Sequence, residues 1–221
     1  MSAAFDWPTF GSSCADGLTF REEGHVYERE AAQLISVTTV VKTVLPDKAN
    51  VRRFWTESAR RRGTVAHACT ALDDAGRLDE SSIAPAVRGR VDAWRAFRRA
   101  HPDFTPHLIE QPLWSVSGIA GTADRFGVWR DKLVVLDIKS AVDEPYARLQ
   151  TAGYAALFTE RTNVRCAVRI VVGLADDGSF DAHIWDSATE WSRDRAAWES
   201  ASRLYAYLSR FDLLPDGGER R

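Results

Sequence analysis

The stretch Leu133-Val134-Val135-Leu136-Asp137-Ile138-Lys139 is an apolar strand that becomes ionic at its end. Side chains two residues apart on a strand point to the same face of a sheet, so Asp137 and Lys139 are predicted to lie side by side. An isolated Asp-x-Lys pair is most often an ordinary salt bridge. A chemical role for Asp137 and Lys139 therefore requires a further functional side chain on the neighbouring strand.

A second carboxylate, Asp124, is expected directly across from Asp137. A two-residue turn at Arg130-Asp131 would make the two strands antiparallel, and counting outward from that turn places Asp124 opposite Asp137. Their Cβ atoms would be only ~5 Å apart. Two like charges at this distance destabilise the fold unless a cation lies between them, and Mg²⁺ or Mn²⁺ is the simplest candidate. Because the turn lacks the favoured glycine, a slipped register is the alternative.

The composition is that of a globular protein with a substantial core. The chain has 221 residues, of which 45% are hydrophobic and 27% charged, and this excludes a disordered chain and a disulfide-stapled mini-protein. Cys14, Cys69 and Cys166 are scattered and odd in number, which disfavours a disulfide framework and paired zinc knuckles. No signal peptide or membrane span is indicated, so a cytoplasmic protein is expected.

Arginine carries nearly all of the positive charge, although the net charge is only -2. Lysine occupies just Lys42, Lys48, Lys132 and Lys139 among the 29 basic residues. The arginines gather around Gly63, where Arg61 and Arg62 lie, and along residues 84–100, where Arg98 lies. These groups are interpreted either as solvated helix faces or as a surface that follows phosphates, and the sequence alone leaves both open.

The hydrophobic pattern predicts one α+β domain over residues 1–221, with a core of about 18–210 and a short flexible C-terminal tail. The predicted elements are an opening hairpin at 18–27, a short helix capped by hydroxyls near Ser36, one or two helices over 51–75 meeting near Gly63, a helix at 84–100, a meander of strands over 108–139, a helix at 144–160, strands at 168–174 and 180–185, and a closing helix through Trp191, Trp198 and Tyr205.

Three polar side chains occupy helical positions that suit a site. His67 follows Gly63 by four residues and shares its helix face, although a capped or core histidine is the commoner explanation. Gln150 and Tyr154 are also four residues apart, and an ordinary helix surface is the simpler reading for them. Cys69 cannot share the face of His67, which disfavours a Cys/His zinc pair.

The order of these segments resembles the PD-(D/E)XK nuclease superfamily, and specifically its RecB-like branch. The segments that carry the resemblance are Gly63-Thr64-Val65-Ala66-His67, Gly121-Thr122-Ala123-Asp124, Asp137-Ile138-Lys139 and Gln150-Thr151-Ala152-Gly153-Tyr154. The upstream part of the chain is similar to phage-type exonucleases and the mitochondrial genome maintenance exonuclease. The residues that carry this similarity are Gly24-His25-Val26-Tyr27, Ile35-Ser36-Val37-Thr38-Thr39-Val40 and Trp55. The resemblance implies a restriction-endonuclease-like core, a central mixed β-sheet flanked by helices.

The resemblance also implies roles for individual residues. It makes His67, Asp124, Asp137 and the backbone carbonyl of Ile138 ligands of Mg²⁺ or Mn²⁺, with Glu110 as a further acidic ligand. Asp124, Asp137 and Lys139 would be the catalytic residues, and Lys139 would act beside the attacked phosphate. DNA binding would fall to Gln150, Tyr154, Thr38, Arg61, Arg62 and Arg98.

The expected function is a metal-dependent DNA exonuclease acting on single strands or on DNA ends. One alternative is a phage-type recombination exonuclease for double-strand ends, and another is a catalytically silent DNA-binding module of the same fold. Catalytically silent relatives have usually lost the lysine or an acidic residue. This sequence retains His67, Asp124, Asp137 and Lys139, which disfavours the silent module. A bacterial or phage-encoded protein is implied, with DNA and a single-strand annealing or recombination protein as candidate partners.

Overall fold

The computed structural model describes residues 7, 17–21, 26–45 and 57–214. Several positions singled out from the sequence lie outside the described residues: Cys14, Gly24, His25, Trp55 and the predicted tail from Pro215 to Arg221.

The described residues form eight strands and five α-helices, with a short 3-10 helix at Glu80–Ser82. In chain order the elements are β1 (Leu18–Arg21), β2 (Val26–Arg29), β3 (Ala32–Ser36), α1 (Val37–Val44), α2 (Glu57–Asp74), α3 (Pro85–Ala100), β4 (Phe104–Trp114), β5 (Ile119–Trp129), β6 (Lys132–Lys139), α4 (Glu144–Thr162), β7 (Val168–Leu174), β8 (Phe180–Trp185) and α5 (Ala188–Arg210). None of the helices described is long and apolar enough to cross a bilayer.

All eight strands belong to one mixed sheet. Its order is β1-β2-β3-β5-β6-β7-β8, and β4 pairs with β5 outside this path. The β3–β5 and β6–β7 pairs are parallel, whereas the other pairs are antiparallel. A central mixed sheet with helices on both sides confirms the fold class predicted from the sequence.

Helices cover both faces of the sheet because the central strands are apolar on both sides. Val135 of β6 packs into a core with residues of α1, α4 and α5, including Val40, Phe158 and Trp198. Its neighbour Leu136 packs on the opposite face, into a core with Trp94 and Phe97 of α3. Strand β6 is therefore held rigidly from both sides up to its ionic end.

The β5–β6 turn has the register that was expected. The ladder runs from Trp129 paired with Lys132 to Arg125 paired with Leu136. Arg130 and Asp131 both adopt the left-handed backbone conformation, with φ of 50° and 59°, which a tight two-residue hairpin turn requires even where glycine is absent. The slipped register is thereby excluded.

One helix, α2, runs without interruption through Gly63, where one or two helices were expected. Two strands differ from the sequence predictions. Strand β4 begins at Phe104, four residues before the predicted meander. Strand β3 was not predicted, because the turn before it, Glu30-Ala31, adopts positive φ values without the usual Gly or Asn signal.

Candidate metal centre

The candidate site lies where strand β5 changes its partner. One edge of β5 pairs with β3 at residues 119–120 and with β6 at residues 125–129. Asp124 falls between these two ladders, next to the last pair, Arg125 and Leu136. Asp137 follows Leu136, so both carboxylates stand at the point where β5 and β6 separate. The backbone groups released there are available to side chains.

Asp124 uses both of its carboxylate oxygens. Its Oδ2 accepts a hydrogen bond of 2.5 Å from the backbone N–H of Ile138, and its Oδ1 lies 3.1 Å from Nδ1 of His67 on helix α2. Only 6% of Asp124 is exposed. The side chain therefore replaces a missing strand contact on one side and binds the helix on the other.

Glu110 enters the site from strand β4. Its neighbours pair in register with β5, Ile109 with Arg125 and Gln111 with Ala123, which places Glu110 across from Asp124. Glu110 itself has a φ of 50°, a left-handed conformation that is uncommon for a non-glycine residue inside a strand. Ligand atoms of His67, Glu110 and Asp124 all lie within 4.8 Å of one another. The structure thus brings together two acidic residues and one histidine from three elements.

Asp137 and Lys139 form a separate pair beside this group. Lys139 Nζ lies 2.5 Å from Asp137 Oδ2, as expected for side chains that share a strand face. Asp137 is 2% exposed and its carboxylate is not one of the three converging ligand groups. The structure shows Ile138 contributing its N–H to Asp124, and the role of its carbonyl as a ligand stays a prediction.

The pKa values of the site reflect buried like charges. Burial, together with the charge of Asp124, raises the pKa of Glu110 to about 7. Burial also raises the pKa of Asp137 to about 6, although Lys139 opposes this shift. Burial acts in the same direction on Asp124, but His67, Lys139 and the Ile138 N–H outweigh it and lower the pKa of Asp124 to about 2. The carboxyl groups of Glu110, Asp124 and Asp137 therefore repel one another, and the nearby positive charges offset this repulsion only in part.

Two basic side chains, His67 and Lys139, face this negative charge. Burial lowers the pKa of His67, but the charge of Asp124, its hydrogen bond and Glu110 outweigh burial, and the net pKa is raised. Burial likewise opposes the charge of Lys139, and Asp137 and Asp124 together raise its pKa above the usual value. Both basic side chains are held in place by carboxylates of the site.

The donor set fits a divalent cation. Carboxylate oxygens suit Mg²⁺ and Mn²⁺, and an imidazole nitrogen is more readily accepted by Mn²⁺. His67, Glu110 and Asp124 offer this combination, and a cation among them would relieve the repulsion between Glu110 and Asp124.

Gln150 and Tyr154 lie together in the protein interior. Gln150 Nε2 donates to Tyr154 Oη at 2.9 Å and to Thr38 Oγ1 at 3.0 Å. Gln150 is 4% and Tyr154 5% exposed, so neither belongs to an ordinary helix surface. The negative charges of Asp137 and Asp124 both contribute, after burial, to the raised pKa of Tyr154. The pair and Thr38 therefore form one polar cluster within the field of the acidic residues.

The predicted arginine contacts separate into two groups. Arg61 is exposed on α2, and Arg62 donates a hydrogen bond of 3.0 Å to Ser58 on the same helix. Arg98 instead donates a 2.6 Å hydrogen bond to Asp74 and lies over the ring of Phe104. The Arg98 guanidinium thus has partners within the protein, whereas 30% of its side chain is exposed, and its contact with DNA stays a prediction.

Arg125 is a component of the site that sequence reasoning missed. This fully buried guanidinium donates to Asp74 Oδ2 at 2.7 Å, to Glu110 Oε1 at 3.3 Å and to the carbonyl oxygen of Asp124 at 2.6 Å. It also donates to Thr70 Oγ1 at 3.2 Å. The available signal was an arginine directly after Asp124 in an otherwise apolar strand.

Solved structures of low sequence identity are similar to this chain to different extents. A candidate exonuclease from Eubacterium rectale superposes with a TM-score of 0.52 at 9% identity, covering 80% of each chain. A phage-related exonuclease from Haemophilus somnus gives 0.39 at 11% identity, covering 80% of this chain and 96% of that one. An alkaline exonuclease from Laribacter hongkongensis gives 0.34 at 12% identity, with coverages of 81% and 93%.

The chain shares its fold with the Eubacterium rectale protein. The central mixed sheet, the flanking helices and this superposition agree with the architecture that the sequence resemblance implies. No protein-family model matches the sequence, and no curated protein matches it either. The functional assignment therefore depends on the geometry of the site.

Proposed function

We propose that this protein is a divalent-metal-dependent DNA exonuclease that hydrolyses phosphodiester bonds on single strands or at DNA ends. The observation that carries this proposal is the convergence of His67, Glu110 and Asp124 beside the Asp137–Lys139 pair. The structural relative with a TM-score above 0.5 is itself a candidate exonuclease, which supports the assignment.

His67, Glu110 and Asp124 are the proposed ligands of Mg²⁺ or Mn²⁺, and Asp137 and the Ile138 carbonyl complete the proposed set. When bound, the cation would activate a water molecule and offset negative charge on the attacked phosphate. The hydrogen bonds of Asp124 to His67 and Ile138 fix the carboxylate before any ligand arrives. Preorganisation of this kind reduces the reorganisation required during the reaction.

Lys139 is the proposed partner of the reacting phosphate. Asp137 holds its ammonium at the end of β6, and the neighbouring carboxylates keep it charged by raising its pKa. A fixed positive charge stabilises the extra negative charge that develops on a phosphate during attack. Asp137 thus has two proposed roles, as a metal ligand and as the residue that positions Lys139.

Gln150, Tyr154 and Thr38 have a proposed role in supporting the DNA-binding surface. Because Gln150 and Tyr154 are almost fully buried, we propose that they shape the floor of the site, with Thr38 as their half-buried link toward the surface. Arg61 and Arg62 are the proposed contacts to DNA phosphates on helix α2.

A more specific version of this proposal is that the protein processes double-strand ends for recombination. Its partner would then be a single-strand annealing or recombination protein. The competing proposal is a catalytically silent DNA-binding module. The pairing of Lys139 with Asp137 beside three converging ligand groups supports a working active site, because a purely binding module has no use for this concentration of buried charge.

End-labelled single-stranded, double-stranded and covalently closed circular DNA should be incubated with the protein and Mg²⁺, Mn²⁺ or EDTA. We expect linear DNA to be degraded from its ends with either ion, circular DNA to persist, and EDTA to stop the reaction. Lys139→Ala, purified in parallel, controls for contaminating nucleases. Cleavage of the closed circle would contradict an exonuclease, and absence of any metal-dependent cleavage would contradict the nuclease proposal.

A further inference from the structure

A small cleft beside the candidate metal centre is lined by a cation that the proposed mechanism does not use. The cleft lies between helix α2, helix α3 and the end of strand β6, and its wall includes Gly63, His67, Lys139 and Arg90. Arg90 comes from α3, which contributes none of the proposed metal ligands. The cleft therefore extends the site toward a third element.

The guanidinium of Arg90 has one partner within the described part of the chain. Its Nε donates a hydrogen bond of 2.6 Å to Asp176 Oδ1 in the turn between β7 and β8. The Arg90 side chain is 9% exposed, whereas the Asp176 side chain is 60% exposed. A guanidinium has five N–H donors, so four of them are not used by this contact.

The other two guanidinium nitrogens of Arg90 reach solvent, since neither belongs to the buried side-chain atoms that lack a hydrogen-bond partner. An anion at the mouth of the cleft would therefore bind them without breaking a protein contact. Phosphate matches a guanidinium particularly well, because two parallel N–H groups can bind two phosphate oxygens.

The position of Arg90 is fixed by the packing around it. A Cβ atom added to the preceding residue, Gly89, would lie 1.8 Å from the carbonyl oxygen of Asp176, so this close approach of α3 to the turn requires glycine. The turn is thus held tightly against α3, and Asp176 orients the guanidinium from there. A preorganised arginine loses little conformational entropy when it binds a ligand.

Gly63 keeps the helix α2 side of the cleft narrow. It lies within the helix, where glycine costs about 1 kcal/mol relative to alanine. Among the described residues, no atom lies within 4 Å of the position that a Cβ would take, and its φ is not positive. The described packing therefore leaves this face of α2 open to a ligand.

We propose that Arg90 binds a phosphate of the DNA strand next to the one attacked, at the mouth of the small cleft that Gly63 and Lys139 line. The inference rests on the proposed nuclease function and adds a specific phosphate contact to it.

Binding of a fluorescein-labelled single-stranded oligonucleotide should be measured by anisotropy at several salt concentrations, with Lys139→Ala as the parent protein so that no cleavage occurs. Arg90→Gln is expected to weaken binding and to reduce the slope of log K against log[salt] by about 0.7 to 1, the value of one phosphate contact. Arg88→Gln is the matched control, because Arg88 lies on the same helix and pairs with exposed Glu80. It should match the parent.

Asp176→Asn separates this contact from a structural role. If Arg90 only anchors the turn, Arg90→Gln and Asp176→Asn will lower thermal stability equally and leave the salt slope unchanged, and the inference is then wrong. Gly63→Leu is expected to weaken DNA binding without lowering the melting temperature. If wild-type protein cleaves DNA but Arg90→Gln binds like Arg88→Gln, this inference alone fails. If wild-type protein neither binds nor cleaves DNA, the proposed function fails first.

Discussion

Arg125 Nε donates a hydrogen bond of 2.7 Å to Asp74 Oδ2, and both side chains are almost completely removed from solvent. Asp74 is the last residue of helix α2, and Arg125 lies on strand β5 next to Asp124. The same guanidinium reaches Glu110 on β4. One buried ion pair therefore joins the helix that carries His67 to the two strands that carry Glu110 and Asp124.

Removal of Asp74 should strongly destabilise the fold. Asp74→Ala leaves Arg125 buried without its main partner, and breaking a buried pair in this way costs about 3–5 kcal/mol. The free energy of unfolding can be measured by urea denaturation. Asp73→Ala is the matched control, since the neighbouring Asp73–Arg95 pair is partly exposed and should contribute about 1 kcal/mol or less. Equal losses for the two variants would contradict a special role for Asp74.

Replacement of Lys139 should separate catalysis from binding. We expect Lys139→Ala to lower the cleavage rate by about 100-fold or more, because the fixed charge at the reacting phosphate is lost. DNA affinity should change little, since most of it comes from arginines. Single-turnover cleavage and anisotropy measure the two quantities. Lys132→Ala, at the exposed opposite end of β6, should retain activity, and full activity of Lys139→Ala would remove the catalytic role.

Glu110 should be required for metal binding itself. Titration with Mn²⁺ is expected to raise the melting temperature of the wild-type protein, because a ligand that binds only the folded state stabilises it. Glu110→Gln keeps the size of the side chain but removes its charge, so the metal-induced shift should largely disappear. Glu199→Gln, which changes an exposed acidic residue on α5, is the control. An undiminished shift in Glu110→Gln would exclude Glu110 as a ligand.

His67 should influence the choice between the two metal ions. Because imidazole suits Mn²⁺ better than Mg²⁺, the wild-type protein should cleave DNA at least as fast with Mn²⁺ at equal concentration. His67→Ala should lower the rates with both ions and abolish any advantage of Mn²⁺. The measurement is the ratio of initial rates. A ratio that stays the same in His67→Ala would show that the histidine has a structural role only.

The sequence predicted that Asp124 and Asp137 occupy opposing positions on β5 and β6, because this placement follows from counting residues outward from one turn. Pairing of Arg125 with Leu136 confirms that count. The position of Glu110 was not predictable in this way, since β4 shifts its register between Pro106 and Leu108 and Glu110 itself adopts a left-handed conformation. The resemblance alone suggested Glu110, and only the three-dimensional structure brings it to His67 and Asp124.

Long-range contacts account for most of what the sequence could not predict. Arg98 had the periodicity of a surface helix, but its guanidinium is held by Asp74, which belongs to another helix 24 residues earlier. Gln150 and Tyr154 likewise had the spacing of a helix surface and are buried by tertiary packing. Local patterns identify the face that a residue occupies, whereas its partner depends on the assembled fold.

Glu110, Asp124 and Asp137 come from three consecutive neighbours in the sheet, β4, β5 and β6. Main-chain hydrogen bonds pair β4 with β5 on both sides of Glu110, and pair β5 with β6 up to Arg125 and Leu136. These backbone pairs determine which residues meet at the site, and the Asp124 side chain binds Ile138 where the pairing of β5 with β6 ends. Main-chain bonds do not depend on side-chain identity, so the placement of the three acidic groups tolerates extensive replacement of the surrounding residues, in keeping with a fold that persists at 9% identity.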